Sequence, residues 1–96
     1  VIARGANINP VVEKMLFAAA ADAGIEVQVE AESRGTGTDA NAIQISRAGV
    51  ATGLVGVPLR YMHSPSEVIS LADADATATL LAAFAERVRA DSDFTP

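Results

Sequence analysis

The spacing of apolar and polar residues predicts three strands that alternate with three helices. A short apolar run, residues 1–4, is closed by Gly5 and is interpreted as the first strand. Asn9 can cap the helix that follows, and Pro10 fits the first turn of that helix. Apolar residues then recur with the helical period as far as the stop signal at Gly24, at positions Val12, Met15, Leu16, Ala19 and Ala23.

Two later stretches have the pattern of strands. Residues 25–31 alternate apolar and polar side chains with a period of two, as a strand does when one face is buried, and we place this strand near a sheet edge. Residues 50–58 are apolar on both alternating faces, which is typical of a central strand covered by helices on both sides. The sheet is therefore expected to have residues 50–58 at its centre.

Capping residues indicate where the second and third helices begin. Thr38 or Asp39 can cap a second helix that ends at Gly49. The third helix is expected to start near Ser70, and its apolar stripe consists of Ala74, Thr77, Leu81, Phe84 and Val88. The tail, residues 91–96, is expected to fray.

This order of elements predicts an α/β fold with largely parallel strands joined by helical crossovers. In such sheets, binding sites gather where loops leave the carboxyl ends of the strands. Two loops are expected there, the segment LRYMHSP at residues 59–65 and the segment SRGTGTDAN at residues 33–41. Candidate functional residues are therefore sought in these two loops.

Composition narrows the class of protein. A chain of 96 residues forms one domain at most. Its net charge of −5, with only 7 basic residues, argues against binding to nucleic acid or to an anionic membrane. The absence of cysteine excludes disulfides and thiolate metal sites, and no apolar run is long enough to span a bilayer. A soluble, cytoplasmic protein is expected.

His63, within LRYMHSP, is the only histidine of the chain. Considered alone, it is more readily explained as a hydrogen-bonded or surface histidine, because metal ligands come in sets and zinc takes about four. A neutral imidazole that follows a rigid strand is also well placed to donate a lone pair to a metal. The residues by themselves leave both interpretations open.

The glycine-rich loop has three possible interpretations. Its backbone N–H groups could hold a phosphate, although the loop lacks the P-loop lysine and Asp39 adds a negative charge. It could be a flexible turn ended by a helix cap. Asp39 could instead orient a cation ligand or a substrate amine, and on this interpretation Thr38 and Asp39 are the candidate substrate-binding residues.

Four segments, taken in order, resemble the C-terminal part of one enzyme family. They are RGANINP at residues 4–10, GTGTDANA at 35–42, SRAGV at 46–50 and VPLRYMHSP at 57–65. The family is that of the tetrahedral, dinuclear-metal aminopeptidases, which include glutamyl and deblocking aminopeptidases and were sometimes labelled endoglucanases or cellulases. The resemblance implies that residues 1–96 are the C-terminal portion of a catalytic domain, a single incomplete domain.

What the resemblance implies is a zinc-peptidase-like, three-layer α/β/α enzyme that removes N-terminal residues from peptides with two zinc or cobalt ions. His63 matches a terminal metal ligand of the family. The second histidine, the carboxylate ligands and the general-base glutamate lie upstream of Val1 in family members. No catalytic residue is therefore assigned in this chain, which is expected to be inactive alone. A homo-oligomer is also implied, with dimers assembling into a dodecamer.

Two other hypotheses come from different classes of protein. One is a non-enzymatic, truncated α/β module that self-associates or binds a partner through an exposed sheet edge. The other, which has weaker support, is phosphate or nucleotide binding by the glycine-rich loop.

Overall fold

The structure of the protein is a computed structural model that describes all of residues 1–96. Its elements are β1 (Ile2–Gly5), α1 (Pro10–Asp22), β2 (Val29–Glu32), α2 (Ala40–Ile43), β3 (Leu59–Arg60), β4 (Val68–Ile69) and α3 (Leu71–Arg87). Strands β1 and β2 pair in parallel, and α1 connects them. The predicted α/β class is therefore confirmed.

β1 is the central strand of the main sheet. It pairs with β2 on one side and with residues 54–56 on the other. The backbone N–H of Ala3 donates to the carbonyl of Leu54 at 2.9 Å, and the N–H of Gly56 donates to the carbonyl of Val1 at 2.9 Å. This second pairing is antiparallel, and β2 lies at the sheet edge as predicted.

Residues 50–58 are therefore not the central parallel strand that their pattern indicates. They join β1 through a single bridge at Val55. Near the other end of this run, the N–H of Asn9 donates to the carbonyl of Thr52 at 2.8 Å, so Thr52 lies beside the carboxyl end of β1 and Gly56 beside its amino end. A run that is apolar on both faces contains no signal for its direction, so the sequence could not reveal this reversal.

The two ends of α1 are formed by the predicted residues. The side-chain oxygen of Asn9 accepts hydrogen bonds from the backbone N–H groups of Val11 and Val12 at 2.9 and 3.1 Å. Pro10 occupies the first helical position, where its missing N–H costs nothing. Gly24 follows the helix in the left-handed region, with φ of 67°. Local residues thus fix the start and end of this helix.

The hydrophobic core lies between α1, β1 and α3. Its buried members are Ile2, Val12, Leu16, Ala19, Ala20 and Leu80. On α1, Val12, Leu16 and Ala19 belong to the predicted stripe, whereas Ala20 is buried without being predicted and the predicted Ala23 is exposed. On α3 the buried residue is Leu80, and its neighbour Leu81, a member of the predicted stripe, is 47% exposed. Adjacent residues of a helix point about 100° apart, so the face that α3 packs against α1 is rotated toward Leu80 relative to the predicted stripe.

α2 is a single turn, whereas the sequence pattern predicts a helix that runs to Arg47 and is ended by Gly49. The backbone turns left-handed at Arg47, with φ of 54°, and at Gly49, with φ of 99°. The hydroxyl of Ser46 donates to the carbonyl of Ala42 at 2.9 Å. A serine that bonds back to the preceding turn competes with helix propagation, which accounts for the early end of α2.

The C-terminal tail packs against the body of the protein, contrary to the prediction that it frays. The side-chain amide of Asn9 donates to the carbonyl of Phe94 at 2.9 Å, and Phe94 packs against the core cluster. Hydrogen bonds from the side chain and the backbone of Thr95 hold the pKa of Asp93 below its ordinary value. The tail thus covers the beginning of α1.

Candidate functional site

The two loops that carry the predicted site residues leave the main sheet at opposite ends. The glycine-rich loop follows β2 and therefore leaves from the carboxyl end of the parallel pair. Residues 54–56 run the other way, and Gly56 exchanges two hydrogen bonds with Val1 at the amino end of β1, at 2.8 and 2.9 Å. LRYMHSP therefore starts from the amino end of β1, contrary to the prediction that both loops leave from the carboxyl ends of the strands.

As a result, the structure does not bring the predicted residues together. No hydrogen bond or salt bridge within the chain joins His63 to Thr38 or Asp39. The two loops form two separate candidate regions, which are described in turn.

A buried asparagine holds the glycine-rich loop in place. The side-chain amide of Asn7, which is only 4% exposed, donates to Asn41 Oδ1 at 2.7 Å and to Thr36 Oγ1 at 3.2 Å. The hydroxyls of Thr36 and Thr38 share a hydrogen bond of 2.6 Å. A Cβ at Gly35 would lie 2.8 Å from Asn41 Oδ1, so a larger residue would displace the Asn41 side chain from this arrangement. The loop is thereby fixed to the carboxyl end of β1.

Sequence reasoning did not identify Asn7 as a site residue. Its partners lie 29 and 34 residues further along the chain, so no local pattern could reveal them. The only sequence signal is its position in RGANINP, where Asn9 already serves as the helix cap. The side-chain oxygen also distinguishes Asn7, because Oδ1 is buried and has no hydrogen-bond partner within the chain.

Thr38 and Asp39 lie on the exposed part of this loop. Asp39 occupies the N-cap position of α2, but its side chain makes no capping hydrogen bond, so the capping role predicted for this carboxylate is not observed. The carboxylate is therefore free to bind another group. Phosphate binding is disfavoured, because a helix of one turn supplies only a small dipole and Asp39 would repel an anion.

His63 lies on a hairpin loop that joins β3 to β4. These strands pair antiparallel, and residues 61–67 connect them. Tyr61 and His63 both have left-handed backbones, with φ of 60° and 61°. The N–H of Ser64 donates to the carbonyl of Tyr61 at 3.1 Å, and the N–H of His63 donates to Glu67 Oε1 at 2.7 Å. Since the left-handed region costs a non-glycine residue about 1–2 kcal/mol, these contacts are needed to hold the loop.

The imidazole of His63 is exposed and makes no hydrogen bond within the chain. His63 is therefore not a buried structural histidine. Two interpretations remain, a surface residue without a specific role and a metal ligand. The neighbouring side chains of Tyr61 and Met62 are 66% and 62% exposed, so His63 stands on an uncovered surface with apolar character.

A complete metal site is not formed by the residues of this chain. The structure contains no group of three or more His, Cys, Asp or Glu side chains that could hold an ion. A solvent-facing imidazole without competing partners fits the role of one metal ligand.

The main apolar cavity lies away from both loops. It has a volume of about 500 Å³ and is formed by α1, residues 51–55, α3 and the tail. It is lined almost entirely by hydrophobic side chains, and none of its lining residues is titratable, so it offers no group for acid–base chemistry. None of the helices combines the length and the apolar character that a bilayer-spanning segment requires.

Fold and loops define an α/β protein whose chemically useful residues lie on two loops at opposite ends of a small sheet. The model of the M42 glutamyl aminopeptidase family matches residues 1–80, which include both loops. The chain therefore belongs to the M42 family, and the resemblance seen in the sequence is confirmed.

A curated relative agrees with this assignment. The chain is 45% identical over 92 residues to a lysyl aminopeptidase of Pyrococcus furiosus, and the alignment covers 96% of this chain and 26% of that protein. The chain thus spans about a quarter of the length of this relative.

Proposed function

We propose that this chain is the C-terminal part of the catalytic domain of an aminopeptidase, a hydrolase that removes N-terminal residues from peptides. The observation that carries the proposal is the family match over residues 1–80, which extends through the glycine-rich loop and the His63 hairpin. The lysyl aminopeptidase of P. furiosus supports the same activity. Residues 1–96 alone are proposed to be inactive, because they supply neither a set of metal ligands nor a general base.

Two divalent ions, zinc or cobalt, are proposed as the cofactors of the complete protein, with His63 as one terminal ligand. The support within this chain is the free, exposed imidazole at the tip of the hairpin, since neutral imidazole is a common ligand of both metals. When bound, such a metal pair supplies an activated water and polarises the peptide carbonyl.

Thr38 and Asp39 are proposed to bind the peptide substrate. The Asp39 carboxylate is exposed and enters neither of the two salt bridges of the chain. The loop that carries it is fixed by Asn7, so the carboxylate is held on a rigid support. Because the two loops leave the sheet at opposite ends and no hydrogen bond or salt bridge joins Asp39 to His63, Asp39 is proposed to bind a different part of the peptide from the part near His63.

A second candidate function is a non-enzymatic module that associates through its sheet edge. β2 is unpaired on its outer side, and Val29 at its start is 50% exposed. This edge would also be exposed in residues 1–96 alone if other parts of a complete aminopeptidase normally cover it. Sedimentation of residues 1–96 separates the two: a well-defined oligomer favours the module, and a monomer or disordered aggregate favours the incomplete domain. A cytoplasmic homo-oligomer of the complete enzyme is proposed from the family resemblance alone.

The aminopeptidase proposal is tested with the complete protein and peptides that begin with lysine, glutamate or leucine. Mass spectrometry is expected to show successive loss of residues from the amino end, abolished by a chelator and restored by zinc or cobalt. Cleavage only at internal bonds, or no cleavage of any peptide by the metal-loaded protein, would contradict the proposal.

A further inference from the structure

The hairpin that carries His63 is held by very few interactions. Residues 60–72 are all exposed, so side-chain packing does not fix the loop. The hydrogen bond from the backbone N–H of His63 to Glu67 Oε1, at 2.7 Å, is the only one that His63 makes within the chain. Its length is that of a charge-assisted hydrogen bond, which is stronger than a bond between neutral groups.

This bond acts at a residue whose backbone conformation determines where the imidazole points. His63 has φ of 61°, a region that a non-glycine residue leaves readily when nothing holds it. A change to the extended or right-handed region would rotate the Cα–Cβ bond and move the imidazole away from its present direction. A contact with the His63 N–H opposes that change directly.

We infer that Glu67 is a positioning residue: its carboxylate fixes the left-handed backbone at His63 and so presents the imidazole for metal binding. Glu67 acts through His63, because its carboxylate accepts the hydrogen bond from the backbone N–H of that residue. The inference rests on the proposed function, because the benefit of a fixed imidazole is its use as a ligand. Residues that orient a metal ligand typically change metal affinity by about 10- to 100-fold when they are removed.

The test compares three variants of the complete protein. Glu67→Ala removes the acceptor, and Glu67→Gln keeps an acceptor oxygen without the charge. Glu86→Ala is the matched control, because Glu86 is an exposed glutamate on α3 that enters neither salt bridge of the chain. Amide hydrogen exchange at His63 is measured in the metal-free protein, and zinc affinity is measured by competition with a chelator.

In Glu67→Ala, exchange at the His63 amide is expected to accelerate about tenfold, the effect of losing one hydrogen bond to a charged group. Zinc affinity is expected to fall at least tenfold. Glu67→Gln, which keeps an acceptor without the charge, is expected to recover part of both losses, and Glu86→Ala is expected to behave as the wild type.

The possible failures are distinguishable. Unchanged exchange in Glu67→Ala, or faster exchange with unchanged zinc affinity, would overturn the positioning role of Glu67 even if the wild-type protein binds zinc and cleaves peptides. If the wild-type protein binds no zinc, the proposed function fails at His63, and the metal-positioning inference is overturned with it, whatever the exchange rates show about the turn.

Discussion

Replacing Gly5 by alanine is expected to destabilise the protein through a single close contact between strands. Gly5 ends β1, opposite Glu32 of β2. A Cβ on Gly5 would lie 2.2 Å from the carbonyl oxygen of Glu32. Because that oxygen belongs to the backbone, no rotamer change relieves the overlap, and the two strands must separate by about 1 Å to restore ordinary contact.

The cost of this separation follows from two terms. Overpacking of this kind costs about 1–3 kcal/mol, and loss of one ladder hydrogen bond adds about 1 kcal/mol. The expected loss is therefore about 2–4 kcal/mol, out of a total stability of roughly 5–15 kcal/mol for ordinary domains.

Gly56→Ala is the matched control. A Cβ there meets no atom within 4 Å. Both substitutions reduce the freedom of the unfolded chain by the same amount, about 0.4–1 kcal/mol, so this effect cancels in the comparison. Urea unfolding followed by circular dichroism measures both free energies of unfolding. A difference between the variants below about 0.5 kcal/mol would refute the role of close strand approach at Gly5.

Three further substitutions test other parts of the fold. In Gly53→Ala, the new Cβ would lie 2.6 Å from Val12 Cγ1, so a loss of about 1–2 kcal/mol is expected. In a double-mutant cycle, Gly53→Ala is expected to cost much less in the Val12→Ala background than in the wild type. Additive losses of stability would contradict the clash. Asn9→Ala is expected to cost about 1 kcal/mol as a lost helix cap and to free the tail at Phe94, so limited proteolysis should cut the C-terminus faster; an unchanged digestion pattern would argue against the tail contact. Because folding lowers the pKa of Asp93, its contribution to stability is present above the unfolded-state pKa and is lost as the pH falls through the folded-state pKa. Thermal unfolding in increasingly acidic buffers should therefore show a smaller loss in Asp93→Asn than in the wild type, and identical profiles would count against the shift.

The parts of the fold that the sequence predicted are those whose determinants lie close together in the chain. The cap at Asn9, the first-turn proline and the left-handed Gly24 all act within α1 or next to it, and each was found where the sequence placed it. The alternating pattern of residues 25–31 also gave the edge position of β2 correctly.

The parts that could not be predicted depend on distant partners. The direction of residues 54–56 is set by pairing with residues 1–3, about fifty positions earlier, and a uniformly apolar run does not encode direction. The continuation of α2 was predicted from apolar residues that include Ile45, but Ile45 is 75% exposed, so tertiary packing contributes little to stabilise a longer helix.

The same limit applies to the candidate site. The residue types and the family segments indicate Thr38, Asp39 and His63 as candidates. The placement of their loops at opposite ends of the sheet, however, follows from the antiparallel pairing of residues 54–56 with β1. Asn7 and Glu67, which hold the two loops, were not identified, because a polar side chain reveals its partner only in the folded chain.

The most direct test of the central claim is the metal content of the complete protein with His63→Ala. His63 is the only histidine among residues 1–96, and it is exposed, so the substitution removes one imidazole without disturbing the core. Elemental analysis is expected to show the loss of one metal equivalent per subunit, together with most of the aminopeptidase activity. Full metal content and a normal rate of peptide cleavage in this variant would contradict the assignment of His63 as a metal ligand.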